Sequence, residues 1–247
     1  FIHTNIKKIK LLRGLSASDM SGWVDLHRNY FFLKNEDVLW LSEQDGWRHI
    51  YLHSKNGKKI RQITSGNWEV KNIIHFDEIS NKIYFISNKE SVFENRFYSI
   101  DFDGNNLKLL TSEEGSHSIK VLPEKNMFID SFSSLREPSR HLLKNMNGEL
   151  IKVLSETDKS QFNTYDWSFP EIIQFESEDK SVKLDGIITY PPDFSKNKRY
   201  PLIVYGYGMP GTQIVYNRWG SLWNQYLAQQ GYIVFSMDAR GMSGRGE

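Results

Sequence analysis

Residues 48–66 read RHIYLHSKNGKKIRQITSG: an arginine, an alternating apolar run, an Asn-Gly turn and a second alternating run. The same plan returns at 96–115, RFYSIDFDGNNLKLLTSEEG, and at 140–156, RHLLKNMNGELIKVLSE. Asn-Gly and Asp-Gly between alternating runs are strong hairpin signals, because both central turn positions need positive φ. The turn glycines Gly57, Gly104 and Gly148 stand 47 and 44 residues apart. Between the hairpins lie further strand candidates: YFFL and VLWLSEQ, VKNIIHF and KIYFISN, IKVLP and MFIDSF. Four strands per unit at a period of about 45 residues is the pattern of propeller blades. The opening NIKKIKLLRG (5–14) matches the end of the same unit. The reading is therefore a partial β-propeller of about three blades plus part of a fourth, with further blades expected upstream.

After about residue 165 the pattern changes. EIIQFESEDKSVKLDGIITYPPDF suggests a long antiparallel pair, and PLIVYGYG a buried strand. SLWNQYLAQQ (221–230) has the helical spacing of Leu222, Tyr226 and Leu227, and Gly231 closes it. YIVFSMD (232–238) suggests another buried strand. Strand, helix and strand in this order make a βαβ unit, so a parallel sheet begins here.

Composition narrows the function. Of 247 residues, 31 are basic and 30 acidic, so nothing points to nucleic acid or an acidic membrane surface. Apolar runs such as PLIVY and YIVF are too short to span a bilayer. There is no cysteine, which removes disulfides, thiol catalysis and Cys-based zinc sites. The start, FIHTNIKKIKLL, has no initiator Met and no signal-peptide layout, and reads like the middle of a longer chain.

The stretch with candidate chemistry is YGYGMPGTQ (205–213), which holds a literal G-x-G-x-x-G in Gly206, Gly208 and Gly211. As a dinucleotide fingerprint it should open directly into a helix whose N-terminus meets a pyrophosphate. Helical spacing begins only near Trp219, and Asp238 lies 27 residues past Gly211, longer than the ribose-binding spacing of about 20. Alternatively it is an oxyanion loop, the place after the third strand of an α/β-hydrolase sheet that donates to a developing oxyanion. Tyr207 stands there with a hydroxyl donor on a rigid ring. On spacing alone, packing at a strand end is the favoured reading of Tyr207.

Several segments, in order and spacing, resemble the dipeptidyl peptidase IV family of serine peptidases, in the prolyl oligopeptidase clan. They are GWV (22–24), GWRHIYLH (46–53), ITSGNWEV (63–70), KIYFISN (82–88), RYPLIVYGYGMPGTQ (199–213) and DARGMSGRGE (238–247). The resemblance covers some 225 residues and implies a mainly β fold. Residues 1–165 would be the C-terminal part of a β-propeller and 166–247 the N-terminal part of an α/β-hydrolase catalytic domain. It implies an exopeptidase that releases N-terminal dipeptides with Pro or Ala second, acting on peptide substrates without nucleic acid, metal or cofactor. It also implies a homodimer and a periplasmic, cell-envelope or extracellular location. In that family the tyrosine of a Tyr-(Gly/Ala)-Gly-Pro loop is the oxyanion donor, which falls on Tyr207 here, with Met209 replacing the usual glycine. His27 and Arg28 match positions that reach toward the extended substrate pocket, with His27 where better-known members have an aromatic ring.

Other candidates have plainer readings. GMSGRG offers Ser243, but Arg245 stands where a nucleophile elbow needs glycine, and no helix pattern follows. All seven histidines lie at or before His141, so the Ser, Asp and His of a triad fall outside this chain. The chain alone is expected to hydrolyse nothing, and turnover of a Gly-Pro chromogenic substrate by it would overturn that. Glu113 and Glu114 are expected in a solvated turn, and DFDGNN (101–106) in a hairpin turn rather than a calcium loop. His49 and His53 are four apart, a metal spacing only on a helix. Two further classes stay open: a non-catalytic propeller module that binds peptides or proteins, and a nicotinamide-dependent dehydrogenase.

Overall fold

The computed structural model describes residues 29–160 and 162–246, so His27, Arg28 and the partial blade at 5–14 lie outside the described residues. From residue 30 to 156 the chain forms three successive four-stranded antiparallel meanders. The first is β1 (Tyr30–Phe32), β2 (Val38–Ser42), β3 (His49–His53) and β4 (Lys59–Gln62). The second is β5 (Val70–Asp77), β6 (Lys82–Ser87), β7 (Arg96–Asp101) and β8 (Lys108–Leu109). The third is β9 (Ser116–Leu122), β10 (Met127–Ser133), β11 (Arg140–Asn145) and β12 (Leu150–Glu156). These are the three propeller blades read from the repeat, and each last hairpin turns at a glycine with φ between +81° and +90°.

The repeat extends to side chains. In the first blade Thr64 Oγ1 accepts from the Ile50 N–H at 2.9 Å, and in the second Thr111 Oγ1 accepts from the Phe97 N–H at 3.0 Å. Both threonines continue a short last strand with a side-chain acceptor. The turn glycines also pack. A Cβ on Gly104 would stand 3.1 Å from the Ile63 carbonyl oxygen, and one on Gly148 2.4 Å from that of Leu110. These two hairpin turns thus rest on the end of the preceding blade.

The core lies between blades. On β6, Ile83 and Phe85 join Leu39, Leu41, Ile50 and Ile73 toward the first blade. Tyr84 and Ile86 point the other way, onto Phe97, Leu110 and Phe128. A strand buried on both faces reads as a continuous apolar run, as KIYFIS does. Aromatic rings carry the contacts: Trp68, Phe85 and Tyr98 stack at 6.3 and 5.6 Å, and Phe97 meets Phe128 edge-on at 5.0 Å.

A fourth sheet has the order β13-β14-β16-β15. Its strands are β13 (Glu171–Glu176), β14 (Lys183–Thr189), β15 (Leu202–Tyr205) and β16 (Ile233–Met237), with α1 (Leu222–Gln229) between the last two. The first pair is the expected antiparallel hairpin, and β15 and β16 run parallel. One expectation is corrected: among the described residues only β16 pairs with PLIVY, and Leu202, Val204 and Tyr205 are exposed. The helix lies where its spacing predicts it; of its spaced residues Leu227 packs inward with Ala228, while Leu222 and Tyr226 are exposed. Trp223 and Tyr226 instead stack on each other at 5.3 Å. The helix packs against β14 and β16, so only the side facing those strands is covered.

Candidate active site

Parallel pairing sets the site. Tyr205, the last residue of β15, is in register with Ser236 of β16, so loops 206–213 and 238–246 leave the sheet side by side. They are tied by the Ser243 N–H, which donates to the Thr212 carbonyl at 2.8 Å. Thr212 closes its own turn, with Oγ1 donating to the Met209 carbonyl at 2.5 Å. Gly208 (φ +65°) and Gly211 (φ +75°) hold left-handed conformations that glycine adopts without strain. Tyr207 sits at the crest of this loop, 63% exposed, with open space beside Gly206 and Gly208. A phenol hydroxyl there can donate to a group arriving from outside.

Below the crest the loops are fixed by buried polar groups. Asp238, 2% exposed, follows β16. Its Oδ1 accepts from the N–H groups of Ile214 (2.8 Å) and Val215 (3.3 Å). Its Oδ2 accepts from Arg245 at 3.2 Å, and Arg245 also donates to Asp185 on β14 at 2.6 Å. The acid that might have bound a ribose is therefore occupied by backbone and arginine. Helix α1 begins at Leu222, well past Gly211, with Ser221 as its cap, so no helix N-terminus faces the glycines. Both findings tell against the dinucleotide reading. Ser243 lies in a loop whose Arg245 is committed to two aspartates, without the strand-turn-helix geometry of a nucleophile elbow.

The blades hold the same loops from the other side. Gln213 Nε2 donates to the Val92 carbonyl at 2.7 Å, and Asn217 Nδ2 to Glu94 at 2.8 Å. The Leu135 N–H donates to Asn217 Oδ1 at 3.0 Å. Glu69 accepts from the N–H groups of Gly244 (3.1 Å) and Gly246 (3.3 Å), and Asn88 Nδ2 donates to the Gly244 carbonyl at 2.9 Å. A cavity of about 390 Å³ lies along this junction, lined by Glu43, Arg48, Glu69, Pro210, Asp238 and Arg245 among others. Tyr207 is not among its lining residues. Local spacing gave no sign of Glu69, Asn88, Gln213 or Asn217, whose partners are remote in sequence.

The remaining candidates resolve into structure. His49 bridges Thr64 Oγ1 (3.0 Å) and the Gly66 carbonyl (2.9 Å), and burial pushes its pKa down. Asp101 accepts from Lys82 and Asn106 in the hairpin turn. Glu113 corrects the expectation of a solvated turn: it accepts from Arg140 at 2.9 Å and Lys144 at 3.0 Å. Lys144 also reaches buried Asp130, which pairs with His117 at 2.8 Å. Glu113 is half-buried beside these cations, while Glu114 is exposed, as expected. Among the described residues no three His, Cys, Asp or Glu side chains converge as a metal site.

A family profile described as the dipeptidyl peptidase IV N-terminal region matches residues 3–139, more than half of the chain. Dipeptidyl peptidase 4 of Trichophyton equinum is 27% identical over 257 aligned residues, covering 99% of this chain and 33% of that protein. Dipeptidyl peptidase 4 of Arthroderma otae is 29% identical over 252, covering 97% and 32%. The crystal structure of Porphyromonas gingivalis dipeptidyl peptidase 4 superposes with a TM-score of 0.82 at 27% identity, covering 89% of this chain and 31% of that one. The chain thus spans about a third of the length of the curated relatives it matches.

Proposed function

The chain belongs to the dipeptidyl peptidase IV family, and from that premise we propose that it is part of a serine exopeptidase releasing N-terminal dipeptides with Pro or Ala second. Residues 1–165 are the late propeller and 166–247 the start of the hydrolase domain in this reading. The substrate carbonyl acylates a serine supplied by sequence beyond this chain, with a histidine as general base. Tyr207 donates one hydrogen bond to the oxyanion that forms.

The observation that carries the reading is the placement of Tyr207. It is exposed at the C-terminal end of a parallel strand, on a loop fixed at its base by Asp238 and Ser243. Ligand sites of open α/β sheets gather at that end of the strands. A donor held rigidly where charge develops stabilises the transition state more than the ground state. Loss of one such donor costs about 3–4 kcal/mol, or roughly two to three orders of magnitude in kcat. Tyr207→Phe in the full-length enzyme is therefore expected to cut kcat on a Gly-Pro chromogenic substrate by about that factor, with folding intact. An unchanged kcat would remove Tyr207 from the mechanism.

A further inference from the structure

Glu69 lies just before β5, 6% exposed, on the face of the blades that meets the fourth sheet. One of its oxygens, Oε1, accepts from the N–H groups of both Gly244 and Gly246, while Oε2 accepts from Lys71 at 2.8 Å. Burial alone would raise its pKa, but Lys71, Arg48 and the Gly246 N–H outweigh it and hold the group below the usual carboxylate range. It is an anion in a nest of backbone N–H groups. The nest needs glycines: Gly244 has φ +101° and Gly246 φ +73°. A Cβ on Gly246 would also stand 2.8 Å from the Trp47 ring, and one on Gly244 3.0 Å from Gln213 Oε1.

The nest adjoins the catalytic loop. Ser243, next to Gly244, donates its N–H to Thr212, and Thr212 folds back on Met209, two residues from Tyr207. The Asn88 amide holds the Gly244 carbonyl, so the turn is gripped on both sides by the second blade. The fixed anion lies on the propeller and the gripped turn on the sheet.

We propose that Glu69 is a positioning residue for Tyr207: by clamping the 244–246 turn it sets the height of the oxyanion loop, and so ties propeller placement to transition-state binding. The proposal rests on the oxyanion reading of Tyr207. It gives the blades a part in catalysis apart from shaping a cavity wall. Because the clamp acts on the donor, its loss should appear in kcat rather than KM.

The test is a double-mutant cycle in the full-length enzyme with the Gly-Pro chromogenic substrate. Glu69→Ala is expected to lower kcat about tenfold or more, with KM changed less than about twofold. In a Tyr207→Phe background the same change should lower kcat by less than about twofold, since the donor it positions is gone. Glu69→Gln, whose amide oxygen still accepts from both N–H groups, should keep most of kcat. Where Glu69→Ala fails to fold, Glu69→Asp retracts the carboxylate by one methylene and carries the same cycle. Equal losses in both backgrounds, or an unchanged kcat in Glu69→Ala, would overturn the proposal. If Tyr207→Phe alone leaves kcat intact, the oxyanion reading has failed first, and that result is distinct from additivity.

Discussion

The close seating of the Gly104 and Gly148 hairpin turns on the preceding blade can be tested at one glycine. Gly148 has φ +89°, and a Cβ there would lie 2.4 Å from the Leu110 carbonyl oxygen, far inside van der Waals contact. Gly148→Ala therefore meets two penalties. The left-handed backbone costs an L-residue roughly 1–2 kcal/mol. The overlap involves backbone on both sides, so blades must move apart, and such overpacking costs about 1–3 kcal/mol. Gly46 supplies the control: its φ is +87°, yet a Cβ would meet nothing within 4 Å. Gly46→Ala pays only the first penalty. The difference between the two variants isolates the contact between blades, about 2 kcal/mol, or roughly 4–8 °C in Tm for a domain of this size. Asparagine, which tolerates the left-handed region, should bring Gly46→Asn near wild type and leave Gly148→Asn strained. Thermal unfolding followed by circular dichroism reads all four variants. Equal shifts for Gly148→Ala and Gly46→Ala would show that the turn does not bear on Leu110.

Two other expectations follow from packing and charge. Phe128 is fully buried and meets Phe97 edge-on at 5.0 Å, so Phe128→Ala should destabilise by about 3–5 kcal/mol in a thermal melt. Leu154→Ala, at a 45% exposed position of β12, should move Tm little, and equal losses would contradict the assigned core. Asp130 is fully buried; burial would raise its pKa, but His117 and Lys144 hold it below the usual carboxylate range. A carboxylate depressed in the folded state stabilises above its unfolded pKa, and that contribution is lost as pH falls through the folded value. Wild type should therefore melt higher than Asp130→Asn at neutral pH, with the gap narrowing below about pH 4. A gap independent of pH would remove the ion pairs as its cause.

Much of this architecture is legible because it is written in local spacing. Alternation, a Gly-containing turn and a 47- or 44-residue repeat of Gly57, Gly104 and Gly148 specify hairpins and blades without any long-range information. The βαβ order of 202–237 is legible for the same reason. Burial is less so. PLIVY has the composition of a central strand, but its exposure depends on which strands flank it, and among the described residues only β16 does. The helix itself is legible from its period, whereas the side covered by β14 and β16, which takes Leu227 and leaves Leu222 and Tyr226 exposed, is set by where the helix lies on the sheet.

The site divides along the same line. The loop that presents Tyr207 is legible because Gly206, Gly208 and Gly211 are its neighbours in sequence, while the role expected of Tyr207 came from the family resemblance. Its supports cannot. Glu69 meets Gly244 across 175 residues, and Gln213 meets Val92 across 121. An acid before a strand and a glutamine after a turn look ordinary in the sequence, and become informative only when the fold buries them against backbone groups that need partners. Each buried N–H must be paired, and the acceptors available to the 244–246 turn and to Ile214 and Val215 are Glu69 and Asp238. One comes from the propeller and the other from the sheet. Moving the propeller relative to the sheet would therefore strip Glu69 from the Gly244 and Gly246 N–H groups, at about 1–3 kcal/mol for each group left unpaired. That cost opposes relative motion at this junction, and it makes the position of the Tyr207 loop a property of both parts of the fold.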